Sequence, residues 1–253
     1  MIIPTLGDRP DLLEATLQSL ADQGPGILAV AVVCPKKAED SRKLAKRFGA
    51  GIIDDPVNAR GISAAVNEGM TALQPWHKYL AWMGDDDLLE PRTLAKSVAA
   101  LDANPDAVAS FGYCNYIDTA GKTLFTSRAG KLAPWLMTWG PDLVPLPGAL
   151  FRMSAVEKVG AFDQSLKFAM DLDMFLRLRK QGSFINMQRV VGSFRWHPTS
   201  TTVANRAASL AESEFVKRRY ISPSLRAVAP FWEYPVRFAT HLAARRVNKL
   251  ARE

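Results

Sequence analysis

The chain has 253 residues, of which 48% are apolar and 23% charged, and a formal net charge of +7. That length suits one large domain or two small ones with a substantial core, and the composition is that of a soluble globular protein rather than a disordered one. No apolar run approaches the roughly 20 residues that span a bilayer, and the N-terminus lacks a basic region followed by an apolar stretch, so neither a membrane span nor a signal peptide is expected and a cytoplasmic location is.

The first half alternates between two patterns. Met1–Thr5 reads as a short strand and Arg9–Gln23 as a helix, with Pro10 at its first position and Leu13, Leu17 and Leu20 at helical spacing. Ile27–Cys34 is a fully apolar strand, and Ala38–Gly49 a helix that stops at glycine. Ala50–Asp55, Gly61–Leu73, Tyr79–Met83 and Pro91–Pro105 continue the series as strand, helix, strand and helix. Apolar strands separated by amphipathic helices call for a mostly parallel sheet covered on both faces, with ligands beyond the carboxyl ends of the strands. Cys34 and Cys114, the only cysteines, both fall in apolar segments and read as buried, reduced thiols.

The second half is less regular. Ala107–Asp118 reads as a strand, with Gly121–Leu124 extended after a turn. Lys131–Gly148 is an irregular loop rich in Trp and Pro. A short helix ends at Gly160. Met170–Gly182 is a helix with an acidic start and a basic end, as the helix dipole favours, and Arg189–Trp196 is a strand. Two tail helices follow, about residues 204–220 and 235–252, broken at "SPS" and "APF". From Val203 to Glu253 ten basic residues face four acidic ones, so nearly all of the excess charge lies there. Phe231, Trp232 and Tyr234 sit upstream of the last helix. Aromatics followed by a basic helix suit a membrane interface better than nucleic acid; a packing or homodimer helix is the competing use.

The chemistry concentrates in "YLAWMGDDDLLEP", Tyr79–Pro91. Three adjacent aspartates, Asp85, Asp86 and Asp87, repel one another. They form either a solvated acidic turn, with Asp87 or Glu90 capping the next helix, or a seat for Mg²⁺ or Mn²⁺, hard cations that prefer oxygen ligands and share them with substrate phosphates. Their place at the carboxyl end of a strand favours the cation.

Six segments in order, "IIPTLGDRPDLLEATLQSL", "NARGISAAVNEGM", "YLAWMGDDDLLEP", "LPGALFRMSAVEKVGAFDQSL", "FAMDLDMFLRL" and "SFRWHPTSTT", resemble a family 2 glycosyltransferase with the GT-A fold over about residues 1–202. The resemblance implies a catalytic domain at 1–202, with a nucleotide-binding half at 1–105 and an acceptor-binding half at 106–202, followed by a basic helical tail at 203–253. It implies transfer of a sugar, with inversion, from a nucleoside-diphosphate-sugar to a sugar or lipid-linked acceptor, in a setting of cell-surface polysaccharide or glycolipid synthesis. Asp85 and Asp87 match the family's acidic pair, with Asp87 as the direct metal ligand, His197 as a third ligand and Asp86 toward the donor. Arg195 is an alternative phosphate partner. Asp171 matches the general base, and Asp173 is structural or orients the acceptor. Pro4, Thr5, Arg9, Asp55, Asn58 and Arg60 fall in the donor region; Trp135, Trp139 and Gly148 form either an acceptor wall or a loop that tucks its tryptophans into the core.

The match has departures. Cys34 and Pro35 stand where the family commonly places a base-binding aspartate, so uridine, thymidine and guanosine donors remain equally compatible. Met170 replaces an acid that often precedes the base. These two positions keep alive an inactive nucleotide-sugar-binding module of the same fold. A nucleotidyltransferase or an aspartyl phosphatase fits poorly, since "PTLGDRPD" is neither glycine-rich and basic nor opened by a nucleophilic aspartate.

Overall fold

The computed structural model describes residues 1–55, 61–197, 200 and 204–251. β1 (Ile2–Pro4), β2 (Ala31–Cys34) and β3 (Gly51–Asp54) form a parallel sheet in that order. Adjacent residues of each strand point to opposite faces. Ile3, Val32 and Cys34 pack against Leu13, Leu17 and Leu20 of α1 (Pro10–Ala21) and Ala45 of α2 (Glu39–Arg47), whereas Ile2 and Val33 pack with Ala65 and Val66 of α3 (Ile62–Met70). The helix period and the strand period read from sequence thus meet in two layers. Gly69 lets α3 lie close on β1, since a Cβ there would stand 2.4 Å from Ile2 Cγ2.

The segment expected as one strand, Tyr79–Met83, divides its pairing. Tyr79–Leu80 forms β4 and pairs antiparallel with β8 (Leu150–Arg152), after which Ala81–Met83 runs alongside β1, with Ile2 N–H donating to Ala81 O at 2.9 Å. This single stretch joins the parallel sheet to a mixed one, ordered β4-β8-β6-β9-β5, in which β6 is Ala107–Ile117, β9 is Ser183–Arg195 and β5 is Leu88–Leu89. β7 (Thr123–Ser127) adds to the edge of β6. β9 begins six residues earlier than the expected Arg189, because its register follows the long parallel partner β6. β2 is shorter than its apolar run, and Ile27 is exposed. α4 (Leu94–Asp102), α5 (Ala133–Leu136), α6 (Met153–Val159) and α7 (Met170–Leu178) complete the body, and α6 stops at Gly160 with φ +84°. Cys34 and Cys114 are buried and unbonded to each other.

The basic tail is docked on this body. α8 (Arg206–Arg218) packs on α7, and α9 (Pro223–Val228) leads into α10 (Pro230–Leu250). The "APF" segment therefore starts the last helix instead of breaking it, and Pro235 lies inside the helix. Arg218 pairs with Glu233, Arg237 donates to Glu214 at 2.5 and 3.0 Å, and Trp196 Nε1 donates to Asn248 at 2.7 Å. No described helix is long and apolar enough to cross a membrane.

One contact from α8 bears on the site. The Glu212 carboxylate accepts the backbone N–H groups of Lys167, Phe168 and Ala169 at 2.5–3.1 Å, ahead of α7. Of these donors Ala169 is the N-cap of α7, which supplies no side-chain cap of its own. Glu212→Ala should destabilise the protein by about 1–3 kcal/mol, and Glu212→Gln by less, as read from urea unfolding. Unchanged stability of the alanine variant would show that water replaces the carboxylate.

Candidate active site

The three aspartates form a buried cluster, not a solvated turn: Asp85, Asp86 and Asp87 are 2%, 9% and 4% exposed. Thr5 and Arg9, from the loop after β1, reach across to them. Thr5 Oγ1 donates to Asp85 Oδ2 at 2.5 Å, Arg9 Nη2 to Asp85 Oδ1 at 2.5 Å, and Arg9 Nη1 to Asp86 Oδ2 at 2.6 Å. The loop can take this course because Gly7 has φ +83° and sits on Ala38, whose Cβ would be 2.3 Å from any added Cβ. Asp87 turns toward the frame. Its Oδ1 accepts the Arg195 N–H at 3.0 Å, and its carbonyl accepts Thr16 Oγ1 at 2.8 Å. Burial raises the Asp85 carboxyl to about 6 against the pull of Thr5 and Arg9; burial, then the Asp86 charge, holds Asp87 well above the ordinary carboxylate range.

His197, just past β9, is 4% exposed, with Nε2 2.7 Å from Asp86 Oδ2 and 3.2 Å from Arg9 Nη1. Arg195 is not a phosphate partner in this arrangement. Its guanidinium donates to the carbonyls of Asp86, Asp118 and Thr119 at 2.9–3.0 Å and is buried.

A carboxylate oxygen and an imidazole nitrogen converging from two elements are a donor set suited to Mn²⁺ or Mg²⁺. Arg9 Nη1 touches both and holds the position between them and Asp85. Among the described residues no group of three or more His, Cys, Asp or Glu is arranged to hold a metal ion. The donor chemistry therefore fits the cation, while the cluster as it stands is closed by a guanidinium.

Asp171 lies in the first turn of α7, half-exposed but densely surrounded, and accepts the Leu172 N–H at 2.8 Å. Burial raises it to about 6 against this hydrogen bond, and the nearby Glu212 charge adds to the rise. Asp142, in the Trp- and Pro-rich loop, is raised to about 7 by its protein surroundings and next by the Asp171 charge, although its side chain still meets solvent. Neighbouring acids with raised proton affinity mark a candidate functional site. Lys217 of α8 closes one side, donating to Gly140 O at 2.5 Å and opposing the Asp142 charge. Asp142, Lys217 and Glu212 were not singled out from sequence. Only the loop acid had a local signal; the other two come from the tail through long-range packing.

The remaining candidates separate. Asp173 is a buried brace, 2.8 Å from Arg177 Nε and from the Tyr220 hydroxyl. Gly148 is buried, with φ +84° and Val191 Cγ2 2.7 Å from any added Cβ, so a backbone requirement explains it. Trp139 packs edge-on against Trp232 of α10, ring centres 5.4 Å apart, whereas Trp135 is 59% exposed. Pro4 ends β1. Asp55 is half-buried with its N–H bonded to Cys34 O, and the neighbouring Asp54 pairs with Arg42. Asn58 and Arg60 lie outside the described residues. A hollow of about 540 Å³ between Leu73, His77, Arg152 and Glu157 lies by the opposite end of β4 from the acidic cluster.

Known proteins resemble the chain in sequence and in fold. Residues 1–160 match the family model for glycosyl transferase family 2. An uncharacterized glycosyltransferase of Rickettsia prowazekii, RP339, is 25% identical over 218 residues, covering 80% of this chain and 65% of that protein. The chain thus spans just under two thirds of that curated relative. The mannosyltransferase PcManGT from Pyrobaculum calidifontis, in complex with GDP-Man and Mn²⁺, is 20% identical with a TM-score of 0.67, over 96% of this chain and 74% of that one. S. aureus TarS 1-349 in complex with UDP-GlcNAc gives 0.63 at 13% identity, over 81% and 60% of the two chains. These likenesses establish the GT-A fold. With the family model covering well over half of its length, the chain belongs to glycosyl transferase family 2.

Proposed function

We propose that the protein transfers a sugar from a nucleoside-diphosphate-sugar to an acceptor hydroxyl with inversion. The observation that carries this reading is the convergence, at the carboxyl ends of β1 and of the segment after β4, of the acidic cluster, Arg9 and His197. The expected setting, cell-surface polysaccharide or glycolipid synthesis, rests on the family resemblance.

In this reading Asp85, Asp86 and His197 hold a divalent cation together with the donor diphosphate. Asp87 braces the cluster against β9 instead of serving as the first metal ligand, because its carboxylate is turned to the Arg195 backbone. When bound, the cation supplies Lewis-acid stabilisation of the leaving nucleoside diphosphate. Arg9 neutralises the carboxylates of the donor-free protein and transfers its guanidinium to the diphosphate, an anion matching its planar donors. Thr5 keeps Asp85 oriented.

Asp171 takes the acceptor proton. Its raised affinity for protons moves it toward the range of an effective base, while its Leu172 N–H bond retains the ionised form near neutrality. Asp142 stands close enough to sense that charge and orients the acceptor from the facing loop, beside the exposed Trp135.

Three outcomes test these assignments. Asp171→Asn should lower kcat by about 10²–10⁴-fold while nucleotide-sugar affinity, measured by calorimetry, stays within about twofold of the parent; loss of donor binding would reassign Asp171. Only the ionised carboxylate accepts a proton, so kcat/KM should rise with pH through a midpoint near the Asp171 value of about 6. A flat profile from pH 5 to 8 (range chosen to span it, about three units) would remove Asp171 from that step. Arg9→Gln should strengthen Mn²⁺ binding without nucleotide, seen as loss of the free-ion electron paramagnetic resonance signal, and weaken nucleoside diphosphate binding at least about tenfold. Mn²⁺ binding equal in the two proteins would show that Arg9 does not compete for the seat.

A further inference from the structure

The outer face of α10 is exposed and has two distinct halves. Phe231, Tyr234, Phe238 and Leu242 recur at helical spacing and are 82%, 65%, 66% and 47% exposed. Arg245, Arg246 and Lys249 continue the same face toward the C-terminus and are also exposed. The inner face is different in kind: Glu233 is buried against Arg218, the Thr240 carbonyl accepts from Arg206, and Ala244 and Val247 are buried. From Pro223 to Leu250 there are five basic residues and one acid, and that acid is the inward Glu233. The exposed face therefore presents aromatic and cationic side chains with no carboxylate among them.

We propose that this face docks on an anionic lipid surface. An aromatic band needs an apolar phase, and a basic end needs negative charge; the headgroup boundary of an anionic leaflet supplies both to a helix lying in its plane. A second copy meeting it face to face would bring like-charged basic residues to the same interface. The patch also extends toward the cleft. Val228 and Leu225 of α9 are exposed beside Phe231, while Trp232 meets Trp139, and Leu132 and Trp135 just before it are 68% and 59% exposed. Docking would thus set the loop carrying Asp142 next to the bilayer. That consequence rests on the acceptor side proposed above, whereas the docking itself does not.

Flotation of the full chain with vesicles tests the proposal without donor or acceptor. The protein should float with phosphatidylcholine vesicles containing phosphatidylglycerol, stay down with phosphatidylcholine alone, and be released by high salt. Phe231→Ser with Phe238→Ser, and separately Arg245→Glu with Arg246→Glu, should each lower the partition coefficient at least about tenfold. Their thermal stability and nucleotide binding should match the parent, since these side chains are exposed and outside the site. Failure of the parent to float on anionic vesicles, or equal flotation of both variants, would overturn the proposal. So would a dimer in sedimentation equilibrium that the phenylalanine variant dissolves, which would give the face to a second copy.

Discussion

Three adjacent carboxylates buried at the end of one strand are the feature around which the rest is arranged. Alone they would be forced to bind protons or to face water. Here the carboxylates are satisfied by partners from two distant parts of the chain: Thr5 and Arg9 after β1, and the Arg195 backbone with His197 at the end of β9. The acidic cluster is thus also a junction. It ties the parallel sheet to the mixed one at the segment where β4 changes partner from β8 to β1. In the function proposed above, the guanidinium that balances the cluster would give way to a divalent cation when the donor binds.

The second half of the cleft depends on the tail. Glu212 holds the start of α7, and Lys217 opposes Asp142 and ties the Gly140 carbonyl. The same Glu212 charge that orders α7 also contributes to the raised proton affinity of Asp171. Support and electrostatics therefore come from one side chain. α8 belongs to the working structure, while α10, anchored through Arg218–Glu233 and Trp196–Asn248, keeps its outer face for something else.

Much of the architecture was legible because it follows from periodicity. Leu13, Leu17 and Leu20 at helical spacing and the glycine at 160 specify their elements locally and lie where expected, while the apolar run ending at Cys34 forms a strand only from Ala31. The misplacements share a cause. β9 is longer than its own apolar stretch because β6 offers a long edge, and α10 starts at Pro230 because proline fits a helix's first position as readily as it fits a break. The roles of Arg195 and Asp173 were open for the same reason: a charged residue near a motif looks like a ligand until its partners are known. Arg195 is enclosed by three carbonyls, and Asp173 by Arg177 and Tyr220.

By itself the sequence determined the α/β alternation and the family, and it singled out the acidic run and Asp171 as candidates, because these are written in spacing and in short motifs. Tertiary structure alone decided which of the crowded carboxylates is bound by Arg9 and which by the backbone. It also decided that Asp142 and Glu212 come near Asp171, that Lys217 opposes Asp142, and which face of α10 is left bare. Those outcomes depend on contacts between residues many positions apart, and no local pattern encodes which distant side chain will arrive.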